Sequence, residues 1–415
     1  MFDADFGVAY EASTSIPEVA DDDGDPCDDL AAICAWVDAQ TDALTARFAV
    51  RRINFSTYGA TLVHLGVDGR PLTPLYDYLK PVDIPGLGEV YGAHGGPQAF
   101  HANTGSPPLG MLNSGLQLLW LRSSRPRAFA KTYVSLHLPN YLAYRLTGVA
   151  RTEFTSIGCH TCLWDFPRGR YHDWLAGAGV LEKLPRTVSD ARARDPHASV
   201  AGVSVGVGVH DSSAALVPYL RAEQEPFVLL STGTWSIALN PTNTEPLTTY
   251  ELSRDCLTFM RADGSPVKAA RLFLGYEHDA RVIELAAHYG VDPELYKVAA
   301  YEERLDPAGA APRFAWEHLA AFAPRGTGHH FGDRDFLAAY HRLVRELVDV
   351  QLAQLDLVVP RRKLRRLLVD GGMSKSGLLL AMLGRAYPGA DVVPAGTPVA
   401  SALGAAILVN ENLPA

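Results

Sequence analysis

A short apolar strand that runs straight into two glycines and a helix constrains the fold of this chain more than any other segment. Residues 364–369 have the composition of a buried strand, Asp370-Gly371-Gly372 follows, and residues 377–387 have helical periodicity. Strand-like and helical segments alternate in the same way earlier in the chain, with strands at 53–56 and 61–66 and helices at 30–44, 116–121 and 133–146. This alternation predicts an α/β fold.

The length of the chain predicts two lobes. A single hydrophobic core usually stops growing near ~250 to 300 residues, and this chain has 415 residues, of which 47% are hydrophobic. We therefore expect two lobes of comparable size, formed by residues 1–222 and residues 223–415.

Charge and hydropathy argue against several classes of partner. The formal net charge is −9, so the chain has no surplus of Lys and Arg with which to hold a nucleic-acid backbone or an anionic membrane surface. No segment has the pattern of a secretory signal, and no apolar run reaches the roughly 18 residues that a membrane span needs. We expect a cytoplasmic protein that binds neither nucleic acid nor membranes.

The N-terminal segment predicts a turn followed by an acidic loop. Residues 2–12 have the pattern of two strand ends joined by a turn around Asp5 to Gly7. The acidic stretch at 18–29 leads into the first helix, and a solvated loop with a helix start explains it better than a metal site does.

The five cysteines predict reduced thiols, because their number is odd and a chain of this size needs no cross-links. Two of them, Cys159 and Cys162, have the spacing of a zinc knuckle or a redox pair. A zinc site of that kind needs a second pair of ligands, and none follows at a suitable interval. A buried structural role is favoured for this pair, and we assign no metal ligand.

Two turns have the composition that binds phosphate. Ser231-Thr232-Gly233-Thr234 forms the tip of a hairpin predicted at 227–239, and Gly371-Gly372 joins a strand to a helix. Backbone N–H groups converge at such turns, where glycine lets the main chain approach the phosphate oxygens. A structural reading also stands, because hairpin turns and strand-to-helix loops use glycine for its positive φ.

Asp211 is the candidate general base. It follows a glycine-rich extended run at 200–210 and precedes a helix predicted to start near Ser212, so helix N-capping and catalysis explain it about equally well. His210 beside it either orients a substrate or fills space. The glycines of the run do not have the order of a dinucleotide-binding fingerprint.

These segments resemble the FGGY carbohydrate kinases, particularly the rhamnulokinase and fuculokinase branch, over nearly the whole chain. Gly208-Val-His-Asp211-Ser-Ser-Ala-Ala resembles the family's Gly-x-His-Asp-x-x-Ala segment, and Leu230-Ser-Thr-Gly-Thr-Trp-Ser236 resembles its second phosphate loop. Further similar segments, in the family's order, are Thr104-Gly105, residues 113–120, 141–148 and 369–375, and the closing Gly404-Ala-Ala.

The resemblance implies two ribonuclease-H-like lobes, with a sugar and ATP meeting in a cleft that closes over them, and it implies Mg²⁺ with the ATP. It implies Asp211 as the base that deprotonates a sugar hydroxyl. The sugar-binding residues that it implies are Asn54, Thr57, Tyr58, Asp77 and His210. The nucleotide-binding residues that it implies are Ser231, Thr232, Gly233, Thr234, Gly371, Gly372 and Lys375.

The chain departs from the family pattern in three places. Relatives open with a strand carrying Asp-x-Gly, whose turn binds phosphate, whereas this sequence starts after that turn; either a start codon lies upstream or the chain lacks half of a phosphate clamp. Met373 stands where relatives commonly have a third glycine, and residues 55–58 are not the Gln-Met-His of many xylulose kinases. The identity of the sugar stays open.

Two other functions stay open at this point. A sugar- or nucleotide-binding protein without catalysis fits a chain that has lost its first phosphate turn. An actin-like or chaperone-like ATPase acting on protein partners shares the fold. A homodimer is possible in each case.

Overall fold

The computed structural model describes residues 1–185, 202–323, 326–328, 331–360, 363–397 and 399–410, together with the backbone of two short strands at 188–189 and 194–195. Most of the polar segment at 186–195 and the start of the glycine-rich run lie outside the described residues. Among the described helices, none combines the length and the apolar character that crossing a membrane requires.

The N-terminal half contains short strands and nine helices among its described residues. The strands are β1 Glu18–Ala20, β2 Pro26–Asp28, β3 Arg52–Ile53, β4 Ser56–Thr57, β5 Leu62–Leu65, β6 Leu75–Tyr76, β7 Val134–His137, β8 Thr152–Glu153, β9 Trp164–Asp165, β10 Arg170–Tyr171, β11 Val188–Ser189, β12 Arg194–Asp195, β13 Ser204–Gly206 and β14 Val209–His210. The helices are α1 Leu30–Arg47, α2 Leu87–Ala93, α3 Gly96–Thr104, α4 Ser114–Ser124, α5 Pro126–Lys131, α6 Leu138–Thr147, α7 Phe154–Ile157, α8 Trp174–Gly177 and α9 Asp211–Ala222.

Two parallel strand pairs organise the site side of this half. β3 pairs with β13, and β4 pairs with β14 so that Thr57 lies opposite His210. The strand predicted at 53–56 is therefore split into two short strands. The helix predicted at 133–146 is wrong in its first part, because residues 134–137 form β7 and pair antiparallel with β5. The helix begins only at Leu138, where Pro139 occupies the first turn.

Most residues of the acidic N-terminal loop are exposed, and Asp29 caps the helix that follows, as the sequence predicts, but one buried lysine anchors the loop. Lys80 is buried, and its Nζ lies 2.5 Å from Asp21, 3.0 Å from Asp23 and 2.6 Å from Asp25. These ion pairs hold the loop between β1 and β2 against the segment that follows β6, because separating them would leave a buried ammonium without partners. The predicted turn at Asp5 to Gly7 is confirmed, with an isolated bridge between Phe2 and Val8.

The C-terminal half is built on one six-stranded sheet. Its strands are β15 Val228–Thr232, β16 Ser236–Asn240, β17 Cys256–Met260, β18 Pro266–Leu272, β19 Arg366–Gly371 and β20 Asp391–Pro394. They are ordered β17-β18-β16-β15-β19-β20. β15, β19 and β20 are parallel neighbours and the other pairs are antiparallel. The carboxyl ends of β15 and β19 consequently lie at the same edge of the sheet.

Helices α10 Thr249–Leu252, α11 Leu274–Tyr289, α12 Phe336–Val358 and α13 Gly377–Ala386 belong to the same half. The largest core joins α11, α12 and α13 to the sheet, with Leu285, Leu343, Leu347 and Leu367 fully buried. Asp335 caps α12 by accepting a hydrogen bond from the N–H of Ala338, and Ser376 caps α13 in the same way at Leu379. The predicted hairpin, strand and helix of this half are confirmed.

The last helix, α14 Ala400–Asn410, leaves the C-terminal sheet and packs on α9. Ala405 and Ile407 are buried with Val209, Ala214 and other apolar residues of the N-terminal half. A Cβ at Gly404 would lie 1.8 Å from the carbonyl oxygen of Ala214, so this close helix contact depends on glycine. The contact links the end of the chain to the helix that begins at Asp211.

We expect the free energy of unfolding to fall as the pH drops from about 6.5 towards 4. Burial lowers the pKa of His64 to about 4 and that of His137 to about 3, whereas both are near 6.5 in an unfolded chain. The unfolded state therefore binds more protons than the folded state in this pH window. The contribution of the two neutral histidines to the free energy of unfolding is fully present only above about pH 6.5. The variant His64→Asn keeps a hydrogen-bond partner for Ser135. It should reduce the slope of the free energy of unfolding against pH by about 1.4 kcal/mol per pH unit between pH 6 and 4.5. Urea unfolding of the wild type and of His64→Asn across this pH range measures both slopes. Equal slopes in the two proteins would contradict the prediction.

Candidate active site

Asp211 lies where a parallel strand pair ends. β14 closes with His210 beside Thr57 of β4, and α9 begins at Asp211, one residue earlier than the sequence predicts. The carboxylate accepts hydrogen bonds from the N–H and the hydroxyl of Ser212, at 2.5 and 3.2 Å. The side chain is 43% exposed. Asp211 is thus not the N-cap of the helix, and its carboxylate is reachable from solvent.

His210 lies beside the Asp211 carboxylate. Its Nε2 lies 3.2 Å from Asp211 Oδ1, and its Nδ1 lies 3.2 Å from the hydroxyl of Ser213. Burial lowers the pKa of His210, although the charge of Asp211 opposes this shift. The hydrogen bond with Ser213 holds the imidazole ring next to the carboxylate.

A cluster of tyrosines and carboxylates lies close to Asp211. The Tyr58 hydroxyl donates to the carboxylate of Asp28, and the rings of Tyr58 and Tyr78 are 5.5 Å apart. Burial raises the pKa of Tyr78, and the negative charges of Asp77, Asp28 and Asp211 raise it further. The structure therefore brings Tyr58 and Asp77, which the sequence predicts, together with Asp211. Tyr78 and Asp28 were missed, since neither belongs to a motif.

Asn54 and Thr57 have other partners than the sugar that the sequence predicts. The amide of Asn54 donates to the carbonyl of Ala405 at 2.9 Å and accepts from the N–H of Gly208 at 3.0 Å. Both ends of this side chain hold the backbone of α14 and of the glycine-rich run. Thr57 donates to the carbonyl of Tyr58 at 2.9 Å and stays half-buried beside His210. We therefore give Asn54 a structural role and keep Thr57 as a candidate contact.

The two glycine turns of the C-terminal half are joined to each other. Thr232 lies opposite Gly371 in the parallel pair of β15 and β19. The Thr232 hydroxyl donates to the carbonyl of Asp370 at 2.5 Å and accepts from the N–H of Met373 at 3.0 Å. Gly371 has a φ of +85°, and a Cβ there would lie 1.8 Å from the carbonyl oxygen of Thr232. The turn at Gly371 requires glycine for both reasons.

The start of α11 closes on the hairpin tip. The N–H of Tyr276 donates to the carbonyl of Thr234 at 3.3 Å, and a Cβ at Gly275 would lie 1.9 Å from the carbonyl oxygen of Gly233. Sequence analysis missed Gly275, whose only signal is a glycine at the start of a helix. Two glycine-dependent positions, Gly371 and Gly275, therefore meet the end of the hairpin here.

A cavity of about 490 Å³ opens beside these turns. Among the predicted residues, Gly233, Thr234, Gly372 and Lys375 line it, whereas Ser231, Thr232 and Gly371 stand behind it in the strands and the turn. The wall also contains residues of α11, α12 and α13 that were not predicted, including His278, Asp279, Tyr340 and Leu379. The volume is in the usual range for small-molecule sites, ~300 to 1,000 Å³.

Contacts between the two halves connect Asp211 to these turns. Leu216 and Tyr219 of α9 are buried with Leu229, Leu257 and other residues of the C-terminal sheet. The ring of His210 lies 5.2 Å from the ring of Phe259 in β17. Next to that strand, the guanidinium of Arg271 lies 5.2 Å from the ring of Trp235, which follows the hairpin tip. The helix that carries Asp211 is therefore anchored on the sheet that carries the turns.

The C-terminal half matches a known family. Residues 224–415 match the family described as carbohydrate kinase FGGY, C-terminal domain. This part of the chain is an FGGY carbohydrate-kinase domain. The resemblance seen in the sequence is thereby confirmed, and the hairpin, the glycine turns and the cavity all lie within the matched residues.

Individual relatives support the FGGY assignment. A rhamnulokinase of Bacteroides thetaiotaomicron is 28% identical over 198 residues, which cover 46% of this chain and 40% of the rhamnulokinase. The match thus spans less than half of that protein's length. The structure of a carbohydrate kinase from Novosphingobium aromaticivorans superposes with a TM-score of 0.80 at 25% identity, over 99% of this chain and 90% of that one.

A ligand-bound xylulose kinase from Lactobacillus acidophilus superposes with a TM-score of 0.75 at 16% identity, over 98% of this chain and 85% of that one. At this identity the likeness concerns the fold alone. The predicted fold of two ribonuclease-H-like lobes is confirmed by these structures. The roles of individual residues within the lobes are inferred from the geometry of the site.

Proposed function

We propose that the protein is an ATP-dependent sugar kinase, which transfers the γ-phosphate of ATP to a hydroxyl of a ketose or a related small sugar or polyol. One observation carries the proposal: the half-exposed carboxylate of Asp211 lies 3.2 Å from His210 Nε2 at the start of a helix that packs on the sheet bearing the glycine turns. A general base and a phosphate-binding edge are thus part of one packed unit.

The sugar side of the proposed site is rich in hydrogen-bonding groups. Asp77, Tyr58, Tyr78 and Asp28 supply carboxylates and hydroxyls around Asp211. A site of this composition suits a polyhydroxylated substrate, because each sugar hydroxyl both donates and accepts. Asp77 already accepts from the N–H of Leu79 at 2.6 Å, and its other oxygen is available to a sugar.

The nucleotide side of the proposed site is the cavity next to Gly233, Thr234 and Gly372. Backbone N–H groups at these turns suit the phosphates, and Lys375 on the same wall supplies a positive charge. The residues of α11 and α12 that complete the wall leave room for a nucleoside. Mg²⁺ belongs with the triphosphate, and Asp370, next to Gly371, is the carboxylate that would hold it, since Mg²⁺ prefers carboxylate and phosphate oxygens.

In the proposed mechanism, Asp211 accepts the proton of the attacking sugar hydroxyl. Ser212 donates to the carboxylate and holds it from the helix side, and Nε2 of His210 lies 3.2 Å from it. General-base assistance of this kind contributes roughly 10² to 10⁴ in rate. The backbone N–H groups of the turns neutralise charge on the transferring group, which supplies more than the base does, because phosphoryl transfer has a loose transition state.

The relatives favour this function over the alternatives. The rhamnulokinase, the carbohydrate kinase and the xylulose kinase named above are all sugar kinases by their names. A binding protein without catalysis finds no support among them, and a protein-directed ATPase does not explain the polar cluster around Asp211. Experiment has to identify the sugar that is used and the hydroxyl that is phosphorylated.

A coupled assay of ADP release across ketopentoses, 6-deoxyketoses, polyols and glycerol tests the proposal. We expect at least one of these sugars to stimulate ADP release at least tenfold over the rate with ATP alone. A sugar-independent rate across the whole panel would contradict the kinase and favour an ATPase. The same panel with an aldose that lacks a free primary hydroxyl serves as the negative control.

A further inference from the structure

A buried group of three potential metal ligands lies beside Asp211. Cys159, His160 and His210 each offer one ligand atom, and these atoms lie within 4.8 Å of one another. The first two come from the segment after α7 and the third from the end of β14. The other such group among the described residues, formed by Asp21, Asp23 and Asp25, already surrounds the ammonium of Lys80, so a cation already lies between its carboxylates.

We propose that Cys159, His160 and His210 form a binding site for a transition-metal ion of the Zn²⁺ class. Thiolate sulfur and imidazole nitrogen are the ligands that Zn²⁺ prefers, and three protein ligands leave a fourth tetrahedral position open. Asp211 Oδ1 lies 3.2 Å from His210 Nε2, so an ion held by that nitrogen would lie next to the candidate base. Cys162, the partner suggested by the Cys-x-x-Cys spacing, instead lies next to Thr104 and Ser106.

His160 is held in the manner of a metal ligand. Its Nδ1 lies 3.2 Å from the carbonyl oxygen of Leu112, and a carbonyl only accepts, so Nδ1 carries the proton and Nε2 has the free lone pair. Ligating histidines commonly donate their other ring nitrogen to a carbonyl in this way. The backbone of His160 has a φ of +44°, and its own carbonyl accepts from Asn113 at 2.6 Å. These contacts fix the orientation of the ring.

Two of the three ligands pack directly against the main chain at Gly59. A Cβ built on Gly59 would lie 2.6 Å from the Cys159 sulfur and 2.9 Å from Cδ2 of His210. Because glycine has no side chain, nothing at this position separates the thiol from the imidazole. A metal held by Nε2 of His210 would replace the contact of that nitrogen with Asp211 Oδ1.

Metal binding at this site exchanges a proton for the ion. The S–H bond of Cys159 breaks, the S–metal bond forms with the sulfur lone pair, and one proton is released to solvent.

A cobalt titration of the tag-free protein tests the site. We expect one Co²⁺ per chain, with a thiolate-to-cobalt charge-transfer band in the near ultraviolet and visible bands of tetrahedral Co²⁺, both abolished by added Zn²⁺. Cys159→Ala should lose the near-ultraviolet band and weaken binding at least about tenfold. Cys162→Ala, which removes a second buried thiol three residues away, should bind like the wild type.

Two outcomes would overturn the site: no near-ultraviolet band in the wild type, or an equal loss of binding in the two cysteine variants. Thermal unfolding checks that each variant folds, and His160→Gln is the second ligand variant if Cys159→Ala does not. The consequence for turnover rests on the proposed function: Zn²⁺ should inhibit sugar-dependent ADP release, a chelator should restore it, and Cys159→Ala should resist. If the band forms in a protein that shows no sugar-dependent turnover, the metal site stands and the proposed function fails.

Discussion

Asp211→Asn should lower sugar-dependent ADP release by roughly 10²- to 10⁴-fold, the contribution of a general base, while leaving sugar affinity within a few-fold. The asparagine keeps the size of the side chain, and its carbonyl oxygen still accepts from Ser212, so the local structure is preserved. An amide has no lone pair basic enough to take a hydroxyl proton. The loss should therefore fall on kcat and leave KM for the sugar nearly unchanged.

Asp38→Asn is the matched control for this variant. Asp38 is 46% exposed and pairs with Arg145 at 2.6 Å on the surface of the same half of the chain. Its replacement should leave turnover within about twofold, because exposed ion pairs contribute ~0 to 1 kcal/mol. The coupled ADP assay measures both variants, and calorimetry measures sugar binding. Turnover near the wild-type rate in Asp211→Asn would remove Asp211 from the proposed role.

Gly371→Ala should lower the free energy of unfolding by at least about 2 kcal/mol and weaken ATP binding at least about tenfold. A φ of +85° is unfavourable for alanine, and its Cβ would lie 1.8 Å from the carbonyl oxygen of Thr232. Thr232 has no room to move, because it is paired in the sheet and bridges Asp370 and Met373 through its hydroxyl. The turn must shift instead, and Gly372 beside the cavity shifts with it.

Gly372→Ala is the control at the neighbouring position. A Cβ at Gly372 meets no atom within 4 Å, so the free energy of unfolding should change by less than about 1 kcal/mol. Urea unfolding measures the stability of both variants, and titration with a fluorescent ATP analogue measures their affinities. Equal stabilities in the two variants would show that the geometry of Gly371 does not limit the fold.

Local patterns predicted most of the elements near the site. The hairpin of β15 and β16, the strand β19 with its glycines and helix α13 follow from runs of apolar residues bounded by Ser, Thr and Gly. The first part of the predicted helix at 133–146 failed, because a fully buried strand such as β7 has no alternation to distinguish it from a buried helix. Its assignment depends on pairing with β5, seventy residues earlier in the chain.

Long-range contacts changed the roles of several residues. The acidic loop is mostly exposed, as predicted, but the sequence did not show that Lys80, fifty-five or more residues away, pairs with its carboxylates. Asn54 looked like a sugar contact, yet its amide is used by Gly208 and by Ala405, about three hundred and fifty residues away. A side chain with few hydrogen-bonding groups can serve only one set of partners, and the sequence does not show which.

By itself, the sequence determined the α/β alternation, the two glycine turns, the carboxylate at Asp211 and the family resemblance, because each of these depends on residues close together in the chain. The tertiary structure alone decided that Tyr78 and Asp28 join Asp211, that α11 and α12 complete the cavity, and that Cys159 and His160 meet His210. Most of these groups come from segments that lie far apart in the chain. Their proximity is set by strand pairing and helix packing, whose free energy depends on surfaces that exist only once the chain has folded.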